Sequence, residues 1–394
     1  MQDLYQSGAD SDVKPNLESF QIAIEAWTKA TDEPQALKRA QQIIDWMARL
    51  YLSSANDLAK PHTSNFVPIL KGWAVSGRIE APIISENVIQ YMQHLQMDEG
   101  IETAGPDTLC FNIVMSSWLK SKDINAERNI QRVFEYMDTC QKRGNHEVKP
   151  DSASYSIAIS SIAPEITNYN YTSGARRADE LLASVEKGCL AGDESLRPDT
   201  IMYNQVVNYW AKTQSEKGHY LKAREVLDRQ IKMHKSGVWQ CRPDVTGYSS
   251  VIKACASTPR GSIHQRKAAF DLAHITFMEC CKAKTVQPND VTYGLMLKAV
   301  GRLLPNKNER NRYSKTLFSL CCSEGYLGEM AFNRLKMAVT KDVFNDLTGG
   351  RSYIELPKEW RRNVKIRQQQ QRMQSERKSS SNKQANKKEK QLRP

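Results

Sequence analysis

Two stretches of this chain are written in nearly the same letters. Residues 106–120 read PDTLCFNIVMSSWLK, and residues 198–212 read PDTIMYNQVVNYWAK. The Pro, Asp, Thr, aromatic, Asn, Val, Trp and Lys fall at the same offsets in both. The anchors recur between and beyond these two copies. Aromatics stand at Phe20, Phe66, Phe111, Tyr155, Tyr203, Tyr248 and Tyr293, spaced by 44 to 48 residues. Five residues before each aromatic lies a proline followed by a polar residue: Pro15-Asn16, Pro61-His62, Pro106-Asp107, Pro150-Asp151, Pro198-Asp199, Pro243-Asp244 and Pro288-Asn289. Seven copies in one register define a repeat, and a repeat restricts the chain to stacked architectures.

Each copy reads as two helices. The aromatic, the residue four on and the residue seven on (Trp27, Trp73, Trp118, Ile162, Trp210, Cys255, Val300) share one helical face. Small residues beside that last position, such as Ala74, Ala211, Ala256 and Gly301, admit a close neighbour. The proline suits the turn before a helix, and the Asp or Thr after it can cap free N–H groups. A second amphipathic stretch follows in every copy, for example ISENVIQYMQHL or AERNIQRVFEYM. One such pair cannot bury its apolar stripe alone, so pairs must stack. The expected fold is all-α, an α-solenoid forming a right-handed superhelix of about seven helix-turn-helix repeats. The tryptophans are expected in its core. Residues 1–14 are expected as a disordered leader, 15–323 as the repeats and 324–350 as a capping helix. Residues 351–394 read as a basic tail, disordered beyond about residue 365.

Composition narrows the partners. The formal charge is +12, yet residues 358–394 hold 13 Lys/Arg against 3 Asp/Glu, leaving the array close to neutral. No apolar run approaches the length that spans a bilayer, so a soluble chain away from membranes is expected. The first fourteen residues resemble neither a signal nor a transit peptide, so an import signal is absent or lies upstream of the sequence. The nine cysteines form no C-x-x-C and no zinc-spaced cluster, which points to buried, reduced thiols and no metal site. No nucleophile elbow, phosphate-cradling loop or H-E-x-x-H is present. A non-enzymatic chain with no cofactor, acting as a monomer, is expected.

The closing Pro-Asp, the aromatic five residues after that proline, the polar residue next to it and the aromatic seven further on resemble the pentatricopeptide repeat family over residues 15–323. The copies are longer than the family's usual repeat. The additions fall between the two helices and after the second. The resemblance implies binding of single-stranded RNA, one base per repeat read by two or three side chains. It also implies a place in organellar RNA processing, stability or translation, in a mitochondrion or a chloroplast. The family's base readers are the polar residue after the aromatic and the residue closing the repeat. Carried over, they pair Gln21 with His62, Val67 with Asp107, Asn112 with Asp151 and Ser156 with Asp199. Asn204 then pairs with Asp244 and Ser249 with Asn289, while Gly294 has no clear partner. Family preferences read the third to sixth repeats as roughly U, G, U, A from 5′ to 3′.

A primary amide carries donors and an acceptor that match a Watson–Crick edge. Nothing in the anchor set calls for an amide after the aromatic, so base contact accounts best for Asn112 and Asn204. Near helix starts, however, Asn, Ser and Asp also bond neighbouring backbone. The alternative function is a protein-binding scaffold without RNA specificity, which the array's low charge favours.

Overall fold

In the computed structural model, residues 14–364 are described except 31–34, 122, 143–146, 163–170, 214–217, 259–260 and 284. The expected leader and the tail beyond residue 364 therefore lie outside the described residues. What is described is all-α. First helices are α1 (Leu17–Lys29), α3 (Thr63–Val75), α5 (Thr108–Ser121), α7 (Ser152–Ser161), α9 (Thr200–Lys212), α11 (Val245–Ser257) and α13 (Asp290–Leu303). Second helices are α2 (Ala36–Leu52), α4 (Ala81–Met97), α6 (Ala126–Lys142), α8 (Tyr171–Leu190), α10 (His219–Lys235), α12 (Ile263–Lys282) and α14 (Lys307–Ser323). Two more follow, α15 (Glu329–Ala338) and α16 (Lys341–Thr348). No described helix is long and apolar enough to cross a membrane.

The chain divides into two compact units, residues 1–209 with 228–242 and residues 210–227 with 243–394. In the first unit α1, α3, α5 and α7 pack in chain order, and α2, α4 and α6 each touch the first helix before and after them. In the second unit α11, α13 and α15 stack in the same way, with α12 wedged between α11 and α13. This is solenoid packing, in which each pair buries its stripe against its neighbours.

The anchors lie where helical spacing places them. Phe66, Leu70 and Trp73 join Phe111, Met115 and Trp118 in one continuous core with Ile44, Val88, Met92, Ile130 and Met137. Trp210, Tyr203 and Tyr293 are also buried. Trp27 departs from the expectation at 36% exposed. Among the described residues its pair has a neighbour on one side only, so the far edge of the indole is uncovered.

Six of the nine cysteines are buried and none is bridged; Cys281 is exposed. Burial pushes the Cys255, Cys280 and Cys322 thiols up to about 12, so at neutral pH they pack as neutral, small apolar groups.

Two differences stand at the C-terminal end. Where one capping helix was expected over 324–350 there are two, broken at Val339 and Thr340. Residues 351–364, expected within the loose tail, instead fold back through two 3-10 turns, Tyr353–Glu355 and Lys358–Arg361. Leu327 donates its N–H to the Trp360 carbonyl at 2.8 Å, and Asn363 donates to Gly325 at 2.9 Å. The Trp360 ring meets Phe318 edge-on. Apolar side chains in LPKEW, Leu356 above all, give this segment a face to bury that the sequence beyond it lacks.

Candidate nucleic-acid interface

Every residue that follows an anchor proline caps the next first helix. The Asn16 side chain accepts from Ser19 N–H at 2.9 Å, and His62 Nδ1 accepts from Ser64 N–H at 3.2 Å. Asp107 takes Cys110 N–H at 2.9 Å, Asp151 takes Ser154 at 2.9 Å and Asp199 takes Met202 at 2.8 Å. Asp244 takes Thr246 and Gly247, and Asn289 takes Thr292. A free helix N-terminus selects a side-chain acceptor here, an oxygen in six copies and the imidazole nitrogen of His62 in one, whether or not a ligand binds.

The threonine of the PDT motif has its own structural use. Thr63, Thr108, Ser152 and Thr200 each open a first helix, and each hydroxyl donates to the connection that ends at the next anchor proline. The acceptors are the carbonyls of Gly105 (2.6 Å), Lys149 (2.8 Å), Ser195 (2.9 Å) and Arg242 (2.7 Å). The sequence showed the motif but not the partner, which lies about one repeat downstream.

In three copies the residue after the aromatic bonds the third residue of the following first helix. Gln21 Oε1 accepts from Asn65 Nδ2 at 2.8 Å. Asn112 Oδ1 accepts from Ser154 Oγ at 2.6 Å, while Asn112 Nδ2 donates to Asp151 Oδ1 at 3.0 Å. Ser249 Oγ lies 2.8 Å from Thr292 Oγ1, which in turn donates to Asn289. Where the first member is apolar or lacks a side chain, so is its counterpart in register. Val67 corresponds to Cys110, and Gly294 to Ala331. A Cβ on Gly294 would lie 2.6 Å from Met330 Cε and 3.3 Å from the Ala331 nitrogen. The anchor frame therefore does use the amide of Asn112, contrary to the sequence-based expectation.

The expected reading pairs are brought together unevenly. Asn112 and Asp151 are in direct contact, and both line a shallow groove of about 580 Å³ with Lys71, Lys120, Leu109 and Ile157. Asp151 Oδ1 collects Ser154 N–H and Asn112 Nδ2–H, and lies 2.9 Å from Ser154 Oγ, whose one proton is directed to Asn112. Among the described residues, Asp151 accepts these bonds on Oδ1 alone. Gln21 and His62 do not bond to each other; Gln21 goes to Asn65 and His62 to Ser64. Ser249 reaches Asn289 only through Thr292. Ser156, half-buried, forms no side-chain hydrogen bond with Asp199 among the described residues. Asn204 and Asp244 fall in different compact units.

One candidate position carries no signal in the shared anchors. Helix α15 packs on α13 as α13 packs on α11, and Gly301 permits it, since a Cβ there would stand 3.3 Å from Ala338 Cα. Phe332 is buried four residues after the N-cap Gly328, the offset that separates cap from aromatic in all seven copies. Helix α15 is thus the first helix of an eighth, divergent pair, and Asn333 holds its reading position. No proline precedes it and its spacing from Tyr293 is only 39 residues, so the shared anchors were missing. The offset from Gly328 to Phe332 was the one available signal.

Charge is divided between the units. Residues 210–227 and 243–357 carry 20 Lys/Arg against 12 Asp/Glu, whereas residues 1–209 with 228–242 carry 23 against 29. In the second unit Lys253 and Lys298 each stand four residues after a reading position. Burial holds both ammonium groups below the ordinary lysine range. Neighbouring cations add to this, Lys212 for Lys253, and Arg302, Arg334 and Lys253 for Lys298. Cations gathered against their mutual repulsion make a surface that favours an anion.

The class that these features define is an all-α helical-repeat solenoid with pentatricopeptide-like anchors. The chain is similar to the crystal structure of the pentatricopeptide repeat protein PPR10 in complex with an 18-nt psaJ RNA element. The identity is 18% and the TM-score 0.35, over 89% of this chain and 47% of that one. A second structure of PPR10, with three cysteines replaced by serine and the same RNA element, gives the same values. The chain thus spans about half the length of these solved proteins. No protein-family model matches it, and no curated protein does.

Proposed function

We propose that this chain binds single-stranded RNA through the exposed face of its first helices, reading bases at some repeats and holding the strand by charge at others. The observation that carries this reading is the Asn112–Asp151 pair. Its bonds to Ser154 and to each other fix the amide and the carboxylate in one orientation, and both line an open groove. A fixed N–H donor beside a fixed carboxylate acceptor complements the O4 and N3–H of uracil. The clustered lysines of the second unit supply the sequence-independent part of affinity. Base reading by Gln21, His62, Ser156, Asp199, Asn204, Asp244, Ser249 and Asn289 belongs to the same proposal. At Ser249 the hydroxyl must release Thr292 before it can donate to a base. The family resemblance adds the setting, organellar RNA processing, stability or translation.

The test is an unbiased selection from a random RNA pool, run with the full chain and with a chain ending at residue 364. Enrichment of a short motif with a fixed uracil, lost on Asp151→Asn, is the expected result. A pool that stays unenriched with both chains overturns the reading and leaves the protein-binding scaffold.

A further inference from the structure

A cavity of about 1040 Å³ lies within the second unit, between the N-terminal turns of α13 and α15 and the returning segment 353–364. One wall carries Asn289, Asp290 and Asn333; the other carries Tyr353, Lys358 and Arg361. The second wall is held firmly. Besides the backbone bonds to Gly325 and Leu327, Asn363 Nδ2 donates to the Glu324 carbonyl at 2.8 Å. Arg361 lies over the Tyr353 ring at 5.1 Å and gives Nη2–H to the Leu356 carbonyl at 3.1 Å. The orientation of its guanidinium is set by the protein before any ligand arrives.

Asn333 differs from its counterparts in one respect. In Gln21, Asn112 and Ser249 the polar group is engaged by the third residue of the next first helix. After α15 the described chain supplies no such helix; the segment 353–364 stands there instead. Asn333 is exposed and makes no hydrogen bond to the protein among the described residues. Asn333 lines the cavity together with Arg361, a planar cation. The cavity balances Lys358 and Arg361 against Asp290 and Glu329. That mixture disfavours a bare polyanion and suits a hydrogen-bonding heterocycle that carries one phosphate.

We propose that this cavity is a nucleotide site, with Asn333 bonding the edge of the base and Arg361 packing against its face, the phosphate lying toward Lys358. The choice of a nucleotide rests on the RNA-binding reading, for which this would be a terminal site closed by the C-terminal segment. Guanidinium planes stack on bases, and a primary amide pairs with base edges.

Calorimetric titration with each of the four ribonucleoside 5′-monophosphates tests it on the full chain and on Asn333→Ala and Arg361→Gln. Asn333 is exposed and Arg361 half-buried, and far-ultraviolet circular dichroism checks that each variant keeps its helices. Saturable binding at one site is expected, weakened by roughly tenfold in each variant, the scale of one lost hydrogen bond. No saturable binding in the unaltered chain, or equal affinity in all three proteins, overturns the proposal. Mononucleotide binding without any selected RNA would sink the array reading and keep this one. A selected RNA, with mononucleotide binding indifferent to both residues, would do the reverse.

Discussion

Asn112 shows how one side chain serves the fold and offers itself to a ligand. Its oxygen satisfies Ser154, and one of its hydrogens satisfies the cap Asp151. Asn112→Ala should therefore cost about 1–2 kcal/mol in denaturant unfolding, the scale of a buried hydroxyl and a carboxylate left short of partners. Unchanged stability would mean these bonds contribute nothing. Asp151→Asn separates the two roles, because asparagine caps a helix about as well as aspartate. The new amide would still receive Ser154 and Asn112 on its oxygen but would present a donor to the groove in place of an acceptor. Preference at one nucleotide should then move from uracil toward bases that offer a ring-nitrogen acceptor, adenine or cytosine. The shift should be about 1–2 kcal/mol in competition binding, with little change in melting. A uniform loss at all positions, or none, refutes the assignment. The core half of the motif was legible in the sequence because aromatic and tryptophan recur at fixed offsets on one helical face. The links through Thr108 and Asn112 were not, because each partner lies about forty residues away and only stacking brings it near. Trp118, buried with its Nε1–H on Glu86 at 2.6 Å, is the plainer case. Trp118→Ala should destabilise by about 3–5 kcal/mol, as buried aromatics do.

At the scale of the helix, consecutive pairs of the first unit are stitched twice, by the Thr and Ser hydroxyls that open the first helices and by arginines of the second helices. Arg132 of α6 bonds Glu86 of α4, Arg177 of α8 bonds Glu127 of α6, and Arg229 of α10 bonds Asp179 and Glu186 of α8. A further pair ties the connections between helices, Lys149 to Asp193 at 2.5 Å. Hydrogen bonds from Lys149 and Ser195 hold the Asp193 carboxyl below its ordinary range. A depressed carboxyl stabilises the fold above its unfolded pKa of about 3.9 and loses that contribution as pH falls through the lower folded value. Asp193→Asn should thus be less stable than the unaltered chain by under about 1 kcal/mol at neutral pH, the range of partly exposed ion pairs. The gap should close below about pH 3. A gap that is the same at both ends of the titration would show that the carboxylate charge is not involved. The eighth first helix belongs at this scale too. It was illegible because α15 keeps the packing of its predecessors while losing the proline, so geometry survives where the motif does not. Its close approach to α13 gives a sharp test at Gly294. Gly294→Asn, which would place there the asparagine found in two other copies, drives a side chain into Met330 and the Ala331 backbone. It should destabilise by about 1–3 kcal/mol, as overpacking does.

For the whole molecule the decisive quantity is where the charge sits. Near-neutrality of the array, read from composition, argued against a polyanion partner. Resolved by unit, it is the sum of an acidic first part and a basic second part, and the sum conceals both. A strand held by the second unit needs no help from residues beyond 364, although their lysines and arginines can add to it. These two sources are separable through salt. Each phosphate neutralised on a single strand contributes roughly 0.7 to the slope of log K against log salt concentration. Lys253→Gln with Lys298→Gln removes two cations that stand four residues after reading positions, so the slope should fall by about 1.4 if both contact phosphate. Affinity should drop most at low salt, and base preference should stay as it was, because phosphates carry no sequence information. A chain ending at residue 364 should also lose slope, with its preference equally intact. If the double-lysine variant keeps the full slope while the shortened chain loses it, RNA is held by the tail alone and the cation cluster of the second unit has another partner.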